Sequence, residues 1–175
     1  MLYLHSTAKL AKSLKFNLTP SPSSDQMHWL DCWYVNRIGL GILGLPLDAF
    51  VYLNAKTKYA LIHPYDSREP LEETVDLFRV RLEQITKRKP SADFTVCKNT
   101  SRSVIGCMNE LVHTVIYVSE RMLQEDGVKF EEIEDYWNNG IIKMQRPVDS
   151  FNEMLGKDNG PILKETSVPH LRIVE

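Results

Sequence analysis

The chain has 175 residues, a formal net charge of −2 and a hydrophobic fraction of 43%. This composition is typical of a single globular domain over residues 1–175 and excludes a disordered or fibrous chain, and the near-zero charge identifies no partner. No stretch approaches the roughly 20 apolar residues of a membrane span. Because the chain has three cysteines and no signal peptide, we expect reduced thiols, no membrane contact and a cytoplasmic location.

The first half of the chain predicts mainly strands. Residues 2–4 are typical of a short strand, and the leucine spacing within residues 7–14 indicates a short helix. Two prolines together with Ser, Asn and Asp in residues 17–26 predict a mobile loop. Residues 33–63 are rich in β-branched and aromatic side chains and contain two turn signals, which predicts an antiparallel meander of three strands.

The second half predicts helices. Apolar residues recur at helical spacing over residues 71–85 and again over about 103–125, where two adjoining stripes predict a long and largely buried helix. Cap and turn residues predict further helices at 130–138 and 147–155, and an irregular tail after about residue 156. The predicted fold class is therefore α+β, an antiparallel β-meander packed against a few helices with one long central helix.

Two charged runs have structural explanations. The basic triplet at residues 87–89 ends a predicted helix before Pro90, which favours an interaction with the helix dipole. An acidic run at residues 131–135 begins another predicted helix, which favours a solvated helix face. Nucleic-acid binding stays open as an alternative through the basic triplet and three further lysines, Lys9, Lys12 and Lys15.

A GxGxxG pattern spans residues 39–44. Nucleotide binding requires such a pattern to follow a strand and to open a helix. Here Pro46 and Asp48 follow almost at once, and the next segment predicts a strand. We therefore interpret these glycines as sites of close backbone packing or of a bulge.

The sets of possible metal ligands are incomplete. Glu110 and His113 have the Glu-x-x-His spacing of carboxylate-bridged sites, but the other predicted helices contain no second copy. Cys97, Cys107 and His113 lack the ligand spacing of zinc fingers and ribbons. The sequence also shows no spacing that indicates a catalytic set of nucleophile, base and orienting residue. We expect no metal, no cofactor and no catalytic residues, and a non-catalytic protein is favoured over an enzyme.

Three blocks of the sequence resemble a known family. Residues 7–10 match Thr-x-Lys-Leu, residues 33–36 match a Trp-Tyr-Ala-Asn block with Val for Ala, and residues 102–109 match Arg-Ser-Val-Leu-Gly-Ser-Met-Asn with Ile for Leu and Cys for Ser. The family is one of small bacterial proteins known only as a domain of unknown function. The resemblance covers about residues 1–125 and implies no particular activity, cofactor or partner.

The candidate binding residues come from these blocks and from the long helix: Trp33, Asn36, Asn54, Arg102, Asn109, His113 and Lys9. For most of them a structural role is the alternative, as core, turn, cap or buried hydrogen-bonding residues. We expect Arg102 and Asn109, two helical turns apart, to line a polar patch beside strand 33–36.

The absence of catalytic motifs favours an uncharacterised bacterial binding or accessory module with a macromolecular partner, protein rather than nucleic acid. The alternative is a small-ligand-binding protein or enzyme with a polar pocket around Arg102, Asn109 and His113.

Overall fold

The computed structural model describes residues 1–23, 27–41, 48–65, 71–124, 127–142 and 144–158. Within these ranges the chain forms an α+β fold. The strands are β1 Leu2–Ser6, β2 Cys32–Gly39, β3 Asp48–Asn54, β4 Ala60–Tyr65 and β5 Phe94–Lys98. The α-helices are α1 Ala8–Ser13, α2 Leu71–Thr86, α3 Arg102–Leu123, α4 Phe130–Asn139 and α5 Pro147–Lys157, and a 3₁₀ helix spans Trp29–Asp31.

The strands form one mixed sheet in the order β4-β3-β2-β1-β5. Strands β2, β3 and β4 are antiparallel, as the meander predicts. The sheet as a whole is not an antiparallel meander, however, because β1 lies between β2 and β5 and runs parallel to both. Parallel neighbours need long crossover connections. The chain supplies them, since α1 lies between β1 and β2 and α2 lies between β4 and β5.

Alternate residues of the strands face two different layers of helices. Trp33 and Val35 of β2 belong to a core with residues of α1, α2 and α5, whereas Tyr34 and Ile38 belong to a second core with α3 and α4. This division follows from strand geometry, because successive side chains point to opposite faces of a sheet. The sheet is therefore covered by helices on both faces.

Helix α3 is the long helix that the apolar pattern predicts, observed at Arg102–Leu123 rather than at 103–125. Residues 125 and 126 lie outside the described residues. The side chain of Ser101 accepts a hydrogen bond from the backbone N–H of Val104 and caps the start of the helix. Leu111 and Val115 are fully buried, so the predicted apolar stripe faces the core.

The two glycines of the GxGxxG pattern that the structure describes are not closely packed. Gly39 ends β2, and a Cβ added there would lie 3.6 Å from Oδ1 of Asp48, an ordinary contact distance. A Cβ added at Gly41 would meet nothing within 4 Å. Packing therefore does not require glycine at these two positions, and residues 42–47 lie outside the described ranges.

Two segments that predict irregular structure are described only in part. Residues 24–26 of the predicted loop and residues 159–175 of the predicted tail lie outside the described ranges. Within the loop, Thr19 pairs with β5: its N–H donates to the Val96 carbonyl at 2.9 Å, and its carbonyl accepts from the Lys98 N–H at 3.2 Å. This contact covers part of the outer edge of β5.

The three cysteines, Cys32, Cys97 and Cys107, are buried and not disulfide-bonded. Sγ of Cys32 lies 3.3 Å from Nε2 of His5. Burial raises the pKa of Cys32 to about 11, so the thiol is protonated at neutral pH and is a poor nucleophile. In the ranges given above, no helix has both the length and the apolar character needed to cross a membrane.

Candidate binding surface

Three of the candidate residues lie on one exposed side of α3. Arg102, Asn109 and His113 are exposed, while Leu111 and Val115 of the same helix belong to the core beneath the sheet. Residues separated by three, four or seven positions share a side of a helix. The spacing that buries one side of α3 therefore places these three on the other side. We call this surface the α3 face, defined by Arg102, Gly106, Asn109, His113, Tyr117 and Glu120.

The three candidate side chains take part in no polar contact of the described fold. Within the part of the chain that the structure describes, the side chains of Arg102, Asn109 and His113 form no hydrogen bond and no ion pair. Next to them, Tyr117 is 60% exposed, and the guanidinium of Arg121 lies 6.0 Å from the centre of its ring. At that distance a cation and an aromatic ring attract each other weakly. These contacts leave the α3 face open to solvent.

Trp33 lies in the core on the other face of the sheet. Its side chain is fully buried, and its Nε1 donates a hydrogen bond to the Leu30 carbonyl at 2.6 Å. Its ring meets the Phe78 ring edge-on, with centres 5.0 Å apart. Trp33 therefore lies on the face of the sheet opposite α3 and is not part of the α3 face. The face of β2 that α3 covers is that of Tyr34 and Ile38.

Asn54 organises the turn between β3 and β4. Its Oδ1 accepts hydrogen bonds from the backbone N–H groups of Lys56 and Thr57, at 3.0 Å each, and from the Thr57 hydroxyl at 3.1 Å. Its Nδ2 donates to the Trp29 carbonyl at 3.0 Å. The side chain is fully buried, so these contacts join the turn to the 3₁₀ helix and a partner cannot reach them.

Asn36 and Lys9 lie on β2 and α1 rather than on α3. Asn36 is half-buried, and its Oδ1 accepts a hydrogen bond from the neighbouring Arg37 N–H at 2.9 Å. Lys9 is exposed on α1, whose Leu10 belongs to the core opposite α3. The seven candidates thus divide between core, turn and surface positions. Trp33 and Asn54 are paired across β2 and β3, and Arg102, Asn109 and His113 share the exposed side of α3.

A polar contact that the sequence analysis missed covers the edge strand β4. The side chain of Asn138 in α4 accepts a hydrogen bond from the Ala60 N–H at 2.8 Å and donates one to the Ala60 carbonyl at 2.9 Å. Nε1 of Trp137 donates to the Lys58 carbonyl at 3.0 Å. Unpaired groups on an edge strand can pair with another chain. Side chains of α4 satisfy these groups as a further strand would.

Glu134 and Arg81 continue this row along β4. Oε2 of Glu134 accepts from the Ile62 N–H at 2.7 Å, and Arg81 donates to the Ile62 carbonyl at 3.0 Å. Arg81 and Glu134 also form an ion pair at 2.6 Å. Burial raises the pKa of Glu134 to about 7, and this effect exceeds the opposing effect of Arg81. The row ends before Pro64, which has no backbone N–H to satisfy.

The raised pKa of Glu134 predicts that stability falls as the pH rises from about 4.5 to about 7. The folded state holds this proton more tightly than the unfolded chain, because the ordinary pKa is 4.5. The contribution is therefore complete below the ordinary value, declines as the pH rises above it, and is lost once the pH has risen through the folded value. Urea unfolding at several pH values measures the loss. Glu134→Gln cannot titrate and should lack this part of the pH dependence, so equal profiles for the two proteins would contradict the assignment.

The possible metal ligands do not converge. In the described ranges, no group of three or more His, Cys, Asp or Glu side chains could hold a metal ion. Cys107 lies on the buried side of α3, whereas Glu110 and His113 of the same helix are exposed. The set of Cys97, Cys107 and His113 therefore has no common centre.

Two cavities in the described part of the chain lie away from the α3 face. The first, of about 270 Å³, is lined by His28, Leu30, Asp31, Leu82, Arg88, Lys89 and Pro90. The second, of about 340 Å³, is lined by Ile141, Met144, Gln145, Arg146, Asp149, Ser150 and Glu153. Neither includes Arg102, Asn109 or His113, so the pocket considered around those residues corresponds to neither cavity.

The family model described as Domain of unknown function (DUF6933) matches residues 3–152. This range contains the α3 face and the contact between α4 and β4. The chain matches no curated protein and no solved structure. The family match confirms the resemblance to a family known only as a domain of unknown function, and the chain belongs to the DUF6933 family.

Proposed function

We propose that this chain is a non-catalytic protein-binding module that contacts its partner through the α3 face. One observation carries the proposal: Arg102, Asn109 and His113 are exposed together and form no polar contact within the described fold. From Arg102 to Glu120 the face is about 27 Å long at 1.5 Å per residue. A surface of that length can form the centre of a protein contact.

The residue types of the α3 face suit protein recognition. Arginine and tyrosine are among the side chains that contribute most to binding energy at protein interfaces, and the face has Arg102 at one end and the exposed Tyr117 towards the other. Gly106 lies between Arg102 and Asn109, and a Cβ added there would meet nothing within 4 Å. The backbone is therefore accessible between two polar side chains.

The charges on the exposed side of α3 favour a protein over a nucleic acid as the partner. Arg102 and Arg121 are balanced by Glu110 and Glu120, and all four are exposed. Nucleic-acid binding depends on a concentration of positive charge, which this surface lacks. In the basic triplet at the end of α2, Arg88 already has an ion-pair partner.

Site-specific photo-crosslinking tests the proposal. A benzoylphenylalanine placed at Asn109, in the protein expressed in its native host, should give one discrete crosslinked adduct. Gln84 is exposed on α2, away from the α3 face, and the same group placed there is the control and should not give that adduct. Protease should degrade the adduct while nuclease leaves it unchanged, because the partner is a protein.

Arg102→Ala in the Asn109 crosslinking protein supplies the second comparison. This change should remove most of the adduct without shifting the melting temperature, since the Arg102 side chain makes no polar contact in the described fold. No adduct at Asn109, the same adduct from both positions, an adduct that nuclease destroys, or an adduct that survives Arg102→Ala would each contradict the proposal.

A further inference from the structure

The cavity of about 270 Å³ lies between the 3₁₀ helix and the end of α2. Leu30 and Leu82 are buried and form its apolar part, with exposed fractions of 8% and 1%. His28, Asp31, Arg88 and Lys89 provide ionisable groups along its lining. A few polar groups around an apolar base are typical of a small-molecule site.

Two of these groups, His28 and Arg88, already have a partner within the fold. Oδ2 of Asp158 lies 3.1 Å from Nε2 of His28 and 3.4 Å from the guanidinium of Arg88, and it accepts a hydrogen bond from Trp29 Nε1 at 2.6 Å. Arg88 also donates to the Asp158 carbonyl. Asp158 thus holds His28 and Arg88 in place and offsets the positive charge of Arg88.

Asp31 and Lys89 are an acidic and a basic residue that line the same cavity. Neither side chain forms a hydrogen bond or an ion pair with any described residue, although the amino terminus and His28 act on Asp31 electrostatically. Asp31 is half-buried, and this burial raises its pKa. A carboxylate that has lost part of its hydration gains from a cationic partner. Lys89 carries the opposite charge, an ammonium group, on the lining of the same cavity.

We infer that this cavity binds a small apolar α-amino acid. The ammonium group of the ligand contacts Asp31, its carboxylate contacts Lys89, and its side chain packs on Leu30 and Leu82. A zwitterion matches the lining better than a simple anion or a simple amine, because each of those would leave one of the two protein charges unpaired in the complex. This site is separate from the α3 face, so the two proposals can fail independently.

Isothermal titration calorimetry with the full chain and three matched probes tests the inference. The probes are L-valine, isovalerate, which lacks the amino group, and isobutylamine, which lacks the carboxylate. Valine should bind at least about tenfold more tightly than either of the others, since each of them loses one charge-assisted hydrogen bond. No binding of valine, or equal binding of all three, would overturn the inference.

Charge-removing variants identify the two contacts. Lys89→Gln should weaken the binding of valine and isovalerate by about tenfold or more and leave the binding of isobutylamine unchanged. Asp31→Asn should weaken the binding of valine and isobutylamine and leave the binding of isovalerate unchanged. Lys87→Gln is the control, because Lys87 is exposed nearby but does not line the cavity. Lys89 is exposed, so its variant tests the inference even if Asp31→Asn fails to fold. An equal loss in the Lys87 variant, or none in the Lys89 variant, would count against the site.

Discussion

Asn54→Ala is expected to lower the free energy of unfolding by about 3 kcal/mol. The substitution removes hydrogen bonds to the Trp29 carbonyl and to the N–H groups of Lys56 and Thr57, each 3.0 Å long. A buried hydrogen bond contributes about 1 kcal/mol net, and partners left unsatisfied cost more. Denaturant unfolding monitored by circular dichroism measures the change.

A smaller substitution in the same turn is the control. Thr57→Val removes a hydroxyl that donates to Asn54 at 3.1 Å and accepts from the Tyr59 N–H at 3.3 Å, and it should cost about 1 to 2 kcal/mol. If Asn54→Ala were no more destabilising than Thr57→Val, the turn would not depend on Asn54 in the way described.

Leu111→Ala is expected to destabilise the protein by about 2 to 4 kcal/mol, because a fully buried leucine leaves a cavity that the surrounding structure fills only in part. Leu111 is 0% exposed and packs in the core between α3, α4 and the sheet. Thermal or denaturant unfolding measures the loss.

Leu123→Ala provides the matched comparison on the same helix. Leu123 is only half-buried, at the last residue of α3, so the same chemical change should cost clearly less there. Equal effects at Leu111 and Leu123 would mean that the middle of α3 does not carry the core contact described above.

Local patterns were sufficient to predict α3 and the antiparallel strands. The period of the apolar residues in α3 and the turn residues between β3 and β4 are properties of neighbouring positions. The parallel pairing of β1 with β5 is not a local property, because about half of the chain separates the two strands in sequence. No local pattern specifies that contact, so the mixed sheet could not be predicted from the periodicity alone.

Glu134 shows why charge alone was a poor guide within α4. The acidic run predicts a solvated face, and Glu131 and Glu132 are indeed exposed, but Glu134 is 5% exposed against β4. One signal was available: Asn138 follows Glu134 by four positions, and both flank the apolar Ile133 and Trp137. Two polar residues on the apolar side of a helix indicate buried hydrogen-bond partners.

The candidate binding residues divide for a similar reason. Tryptophan and asparagine occur both in binding surfaces and in cores or turns, and the sequence does not distinguish these uses. Burial and hydrogen bonding assign Trp33 and Asn54 to the architecture. The amphipathic period of α3 was sufficient to place Arg102, Asn109 and His113 on one side of a helix, but not to predict that their side chains form no hydrogen bond or ion pair with any described residue.

Asn54 is part of the architecture, whereas Asn109 lies on an exposed surface and forms no hydrogen bond with any described residue. Parallel melting curves of Asn54→Ala and Asn109→Ala test it with the same chemical change at both positions. Asn54→Ala should melt several degrees early, and Asn109→Ala should stay close to the wild type, since exposed substitutions usually change stability by less than about 0.5 kcal/mol. An early transition for Asn109→Ala, or an unchanged one for Asn54→Ala, would contradict this difference between the two asparagines.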